Sequence, residues 1–192
     1  MFIDILAYLI GSIPCGLVLT RFFGKEDIRQ SGSGNIGATN VYRVAGRGLG
    51  IVTLICDTLK GVLPTLMALN IPSFSTNQVA IVAVATFLGH LYPLYIGFKG
   101  GKGVATGLGI FLVLSPKAVL LALLLFLVIF AIWRYVSLGS ISAAAVLPFL
   151  ILWLERSASL FVATLFIAAM VIIRHRSNIE RLRSGTENKF KA

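Results

Sequence analysis

The stretch Phe98-Lys99-Gly100-Gly101-Lys102-Gly103-Val104-Ala105-Thr106 joins the end of one apolar segment to the start of the next. Lysines among glycines at a helix start suit an anion. The glycines leave backbone N–H groups unshielded, and the helix N-terminus beyond adds its dipole. The pattern is no Walker A loop, because Ile96 stands where the first glycine belongs and Gly103, not Ser or Thr, follows Lys102. A lysine pair that merely flanks a short turn would not require glycines at 97, 100, 101 and 103. Phosphate binding is the chemistry these residues fit.

Two further segments carry similar chemistry. Ser31-Gly32-Ser33-Gly34-Asn35-Ile36-Gly37-Ala38-Thr39-Asn40, followed by Arg43 and Arg47, contains G-x-G-x-x-G at Gly32, Gly34 and Gly37. That fingerprint means dinucleotide binding only within a strand–helix–strand unit, and here it follows an apolar helical segment, so the dinucleotide reading is rejected. Small residues still let the backbone approach an anion, Ser33, Asn35 and Thr39 can hydrogen-bond it, and Arg43 can clamp it with a bidentate fork. The bland alternative is an ordinary polar turn. The third segment, Arg174-His175-Arg176-Ser177-Asn178-Ile179-Glu180-Arg181-Leu182-Arg183-Ser184-Gly185-Thr186-Glu187, would place His175, Asn178 and Arg181 or Leu182 on one face of a continuing helix. A basic tail lying on anionic lipid explains its arginines equally well, so both readings stay open.

The elements that must position these residues are membrane helices. The 192-residue chain is 57% hydrophobic and 12% charged, and its mean hydropathy is +0.93, too apolar for a water-soluble domain. Spans are expected at 2–22, 48–70, 78–97, 103–115, 116–134, 138–154 and 158–174, giving an all-α, polytopic bundle of about seven transmembrane helices in a single domain, 1–192. The segment 103–115 rises only about 20 Å as a helix, so it is a short crossing or a re-entrant one. Under this assignment Arg21, Lys25, Arg29, Arg43, Arg47, Lys99, Lys102, Arg134, Arg174, Arg176, Arg181, Arg183, Lys189 and Lys191 share one side, and only Lys117 and Arg156 lie on the other. The rich side is then cytoplasmic and the N-terminus outside. The net charge of +10 is read as an orientation signal and an attraction for anionic lipid or substrate, with no nucleic-acid partner. The first segment carries Asp4 and no basic n-region, so it is an anchor and not a signal peptide. Cys15 and Cys56 are expected to be small buried hydrophobes. Asp57 and Lys60, three apart inside a span, are expected to pair and brace the bundle, with a proton or ion path as the alternative. His90 is expected to be a hydrogen-bonded packing residue.

Taken together, Ser33-Gly34-Asn35-Ile36-Gly37-Ala38-Thr39-Asn40, then Gly89-His90 through Phe98-Lys99-Gly100-Gly101-Lys102-Gly103-Val104-Ala105-Thr106, then Arg174-His175 with Asn178-Ile179 and Arg181-Leu182 to Glu187, resemble the bacterial acyl-phosphate:glycerol-3-phosphate acyltransferase family, and the likeness includes Asp57-x-x-Lys60-Gly61. The resemblance implies a seven-helix enzyme of the bacterial inner membrane with its site at the cytoplasmic surface. Such an enzyme moves a fatty acyl group from acyl phosphate to the 1-hydroxyl of glycerol 3-phosphate, giving lysophosphatidic acid and phosphate, the first acylation of phospholipid synthesis. It implies no cofactor and no metal, and a separate phosphate acyltransferase that supplies the donor. On this footing Ser33, Gly34, Asn35, Gly37, Thr39, Gly100, Gly101 and Gly103 are expected to hold the acyl phosphate. Arg43, Lys102, His175 and Asn178 are expected to orient glycerol 3-phosphate, with His175 a possible base. An organic-phosphate transporter or exchanger is the main rival, although its polar site would sit near the midplane in repeated halves. A phosphotransferase of the CDP-alcohol type would need clustered carboxylates for metal, whereas Glu26, Asp27, Glu180 and Glu187 are scattered.

Overall fold

A computed structural model describes residues 2–24 and 27–190; Lys25, Glu26 and Lys191, which enter the charge pattern above, lie outside the described residues. The helices are α1 (Phe2–Gly11), α2 (Cys15–Phe22), α3 (Ala38–Ala45), α4 (Arg47–Leu69), α5 (Thr76–Leu91), α6 (Val104–Leu114), α7 (Pro116–Trp133), α8 (Val136–Glu155), α9 (Ala158–Arg174) and α10 (Arg176–Arg183), with a 3₁₀ turn at Leu94–Ile96. No strand occurs among the described residues. Four helices are long and apolar enough to cross a membrane, or six if α1 with α2 and α9 with α10 each form one bent span. Exposed leucines such as Leu120, Leu124 and Leu127 on α7 form a face suited to lipid. At 11 residues, α6 rises about 16 Å, roughly half the hydrocarbon thickness.

The expected spans at 48–70, 116–134, 138–154 and 158–174 coincide with α4, α7, α8 and α9 within two residues. The expected span at 2–22 is instead two helices bent by 46°. Pro14 brings no N–H and disfavours helical backbone at Ile13, so the ladder stops after Gly11 and resumes at Cys15. The segment Ala38–Ala45, read from sequence as loop, is helical. Gly46, at φ +95, reverses the chain between α3 and α4.

The chain forms two compact units, residues 1–113 and 114–192. In the first, α1 packs on α5 and α4 on α5, and two pairs of helices approach backbone to backbone. A Cβ on Gly61 would strike the Thr106 carbonyl of α6, and one on Gly109 of α6 would strike the Thr58 carbonyl of α4. Small residues at a membrane helix seam permit such contact, where dispersion replaces the hydrophobic effect. The break at Pro14 leaves the Ile13 carbonyl without its helical donor. Lys60 of α4 supplies one, its ammonium lying 2.7 Å from that oxygen. The same ammonium is 2.9 Å from Asp57 Oδ1, an ion pair whose angle falls outside hydrogen-bond geometry. The pairing expected from the i, i+3 spacing is therefore present, and both groups are buried. In the second unit α7, α8 and α9 pack in sequence order, with Arg134 and Arg156 ending α7 and α8 in left-handed backbone.

Replacing Lys60 with Met should strand the Asp57 carboxylate in the apolar interior and lower stability by about 3–5 kcal/mol. Combining it with Asp57→Leu should recover most of that loss in thermal unfolding in detergent; no recovery would mean the lysine acts through the Ile13 carbonyl alone.

Candidate active site

In the first unit, the two glycine segments share one apolar floor. Leu17, Ile28, Ile36 and Val41 form a buried cluster, and Ile96 of the 3₁₀ turn packs against it. Above that floor Asn40 organises the first segment from within. Its Oδ1 accepts the Ser33 N–H at 2.8 Å, and its amide donates to the carbonyls of Ile28 at 2.9 Å, Asn35 at 2.8 Å and Ser31 at 3.2 Å. Asn35 turns its Oδ1 onto the Gly37 N–H at 2.9 Å, a local asparagine turn that leads into α3. Ser33 and Gly34 are exposed and Thr39 is half-buried in the first turn of α3. Arg43 stands exposed in the last turn of that helix. Upstream, the Arg29 guanidinium grips Asp27 from Nε at 2.9 Å. That hydrogen bonding holds the Asp27 carboxyl at about 2, well below the usual range.

The second segment is folded back onto the end of α5. Gly100 N–H donates to the Leu91 carbonyl at 3.1 Å and Gly101 N–H to the His90 carbonyl at 3.2 Å. These two amides are thus engaged within the loop, and the glycines serve a steric need that the sequence reading missed. A Cβ on Gly101 would run into the His90 ring, and one on Gly103, at φ +84, into Phe87. What the loop offers an anion is the half-buried Lys102 and the start of α6, whose first-turn amides have no partner in the helix. Each glycine segment therefore ends at the N-terminus of a helix, α3 or α6, with a cation close by in sequence.

In the second unit, His175 lies at the 56° bend between α9 and α10. Its Nδ1 is 2.8 Å from the Val171 carbonyl. A carbonyl only accepts, so Nδ1 carries the proton and Nε2 is the basic nitrogen of the neutral ring. Asn178 and Arg181 share a face of α10 as their spacing requires, and both reach Glu187. Asn178 Nδ2 donates to Oε1 at 2.6 Å and Arg181 Nε to Oε2 at 2.7 Å, while Ser137 of α8 donates to Oε1 at 2.7 Å. Burial pushes the Glu187 carboxyl up, but these three bonds and the Arg181 charge outweigh it and hold it below its ordinary value. Glu187 closes the third sequence segment, yet nothing in its spacing marked it as the centre of this network. Cys15 is buried and Cys56 partly so, and no group of His, Cys, Asp or Glu able to hold a metal ion is found among the described residues.

A carboxyl with a lowered native pKa stabilises the fold fully above its unfolded value of 4.5 and loses that contribution as pH falls through the native one. Glu187→Gln should therefore be less stable than the parent at pH 7, and the gap should close on acidification below about pH 4.5. Thermal unfolding in detergent across pH would show it, and a gap independent of pH would refute the network.

Comparison with known proteins sharpens these observations. Residues 1–185 match the glycerol-3-phosphate acyltransferase family. The chain is 60% identical to the glycerol-3-phosphate acyltransferase of Syntrophotalea carbinolica, over 97% of this chain and 95% of that protein. It is 58% identical to that of Geobacter sulfurreducens, with the same coverage. Among solved structures it resembles PlsY (YgiH), an integral membrane glycerol 3-phosphate acyltransferase. The glycerol 3-phosphate form aligns with a TM-score of 0.95 at 41% identity, over 99% of this chain and 94% of that one. The lysophosphatidic acid form aligns with a TM-score of 0.92 at 40% identity, with the same coverage. The ordered glycine segments, the apolar helices and a match running nearly end to end agree, and the chain belongs to the glycerol-3-phosphate acyltransferase family, as an integral membrane member.

Proposed function

We propose that this chain transfers a fatty acyl group from acyl phosphate to the 1-hydroxyl of glycerol 3-phosphate. The hydroxyl oxygen attacks the acyl carbon, the mixed anhydride breaks, and lysophosphatidic acid and inorganic phosphate leave. The observation that carries this reading is the pair of glycine segments on one apolar floor, each ending at a helix N-terminus. Both substrates bring a phosphate, and two neighbouring anions need two such places. The glycerol 3-phosphate and lysophosphatidic acid forms of the structural neighbour support the acceptor and the product. The shared enzymatic name of the relatives weighs against the transporter alternative.

In this reading Ser33, Gly34, Asn35, Gly37 and Thr39 hold the acyl phosphate together with the loop shaped by Gly100, Gly101 and Gly103. Arg43, Lys102, His175 and Asn178 orient glycerol 3-phosphate. Acyl phosphate is already activated, so no enzyme nucleophile and no covalent intermediate is required, and positioning with charge stabilisation carries the rate. The hydroxyl proton passes to the departing phosphate, with His175 orienting the acceptor. The topology that fits is seven crossings, with α1 and α2 as one broken span and α6 as a short one. The N-terminus lies outside, and the site faces the cytoplasm at the bacterial inner membrane. The crowding of arginine and lysine on one side supports that orientation. An upstream phosphate acyltransferase supplies the donor.

Purified protein given labelled glycerol 3-phosphate should form lysophosphatidic acid from palmitoyl phosphate and none from palmitoyl-coenzyme A; product from the thioester would overturn the donor assignment. Lys102→Ala should raise the KM for glycerol 3-phosphate by about 10-fold or more. His175→Gln should cost about 10²-fold or less if the phosphate takes the proton, and a loss above about 10⁴ at unchanged substrate affinity would make His175 an essential base instead.

A further inference from the structure

Beneath the 97–103 loop of the first unit lies a set of polar groups for which the reaction above has no use. Asp57, Lys60, His90 and Thr106 are all at most 5% exposed. His90 Nδ1 is 3.1 Å from Thr106 Oγ1 and 3.8 Å from Asp57 Oδ1. Threonine, histidine and aspartate in sequence of contact suggest a nucleophilic triad, but the geometry refuses it. Hydroxyl and carboxylate meet the same ring nitrogen, so no proton can pass through the ring from one to the other. Thr106 is also fully buried, out of reach of a substrate carbonyl.

The contacts of His90 point to the loop instead. Its main-chain carbonyl accepts the Gly101 N–H at 3.2 Å, and its ring lies against Gly101 so closely that a Cβ there would collide with it. Its Nδ1 meets Thr106 in the first turn of α6. One residue thus pins the chain on both sides of Lys102, at Gly101 and at Thr106. Below it, Asp57 is held by Lys60, and Lys60 by the Ile13 carbonyl at the α1–α2 break. We propose that His90 is a positioning residue for Lys102: it fixes the Gly101–Thr106 segment on a base formed by the Asp57–Lys60 pair, and so sets where the lysine meets the substrate phosphate. The inference rests on the proposed contact between Lys102 and glycerol 3-phosphate. A residue that works this way changes substrate affinity through Lys102 and has no effect of its own once Lys102 is gone.

A double-mutant cycle tests it, with kcat, KM and thermal stability measured for His90→Ala, Lys102→Ala and both together. His90→Ala should raise the KM for glycerol 3-phosphate about 10-fold with a smaller change in kcat. Adding it to Lys102→Ala should change KM by less than about 2-fold. His90→Asn, which can keep a polar atom near the place of Nδ1, should recover most of the affinity. If His90→Ala fails to fold, Thr106→Val removes one pin with little change of volume and should show the same non-additivity. Independent, multiplying effects would overturn the proposal. Hydrogen exchange at Gly100 and Gly101 separates the two ideas. A wild-type KM in Lys102→Ala would overturn the assigned substrate contact of Lys102, and with it this role for His90. Unchanged exchange in His90→Ala would overturn the positioning role alone.

Discussion

A single main-chain oxygen, the Ile13 carbonyl, sets much of the first unit. Proline at 14 ends α1 and leaves that oxygen without a helical donor, in a part of the molecule where water is not at hand to replace one. The lysine that answers it must be buried, and a buried lysine in turn demands a counter-ion, which Asp57 provides one turn earlier on α4. Break, lysine and carboxylate are thus linked by necessity. The His90 ring that faces the carboxylate draws α5 and α6 into the same set. The polar interior of the unit is the consequence of one interrupted helix.

Much of this arrangement could be read in the residues, and the failures are instructive. The long apolar runs gave α4, α7, α8 and α9 nearly to the residue, because a bilayer-scale stretch of apolar side chains has few other uses. The Asp57–Lys60 pair followed from spacing alone, since residues three apart on a helix are neighbours. The short α3 was missed because Gly, Ser and Asn before it read as turn, and its own eight residues carry a weak helical preference. What fixes it is Asn40, which gathers amide and carbonyl groups from Ile28 to Asn35, and no local pattern announces such an arrangement.

The candidate site was legible in the same uneven way. Glycines beside Lys102 signalled a phosphate loop, yet the amides of Gly100 and Gly101 bond to the end of α5, and the glycines answer a demand for space made by His90 and Phe87. Composition identifies where a backbone comes close to something; it does not say to what. Glu187 is the sharper case. Its partners Ser137, Asn178 and Arg181 lie 50, nine and six residues away. Only the return of the chain after α10 brings them to one carboxylate, and that return is a tertiary fact.

The seam between α4 and α6 has a mechanical meaning. Gly61 and Gly109 bring each backbone against a carbonyl of the other helix, so no side chain lies between them that could change rotamer and let one helix slide. Motion along this seam is stiff, and the start of α6 is carried on α4 as one body. The compliance that an incoming lipid substrate requires therefore belongs to the 31–37 loop, whose exposed Ser33 and Gly34 rest on a hydrogen-bonded frame and not on interlocked backbones. One wall of the cleft is an anvil, and the other can give.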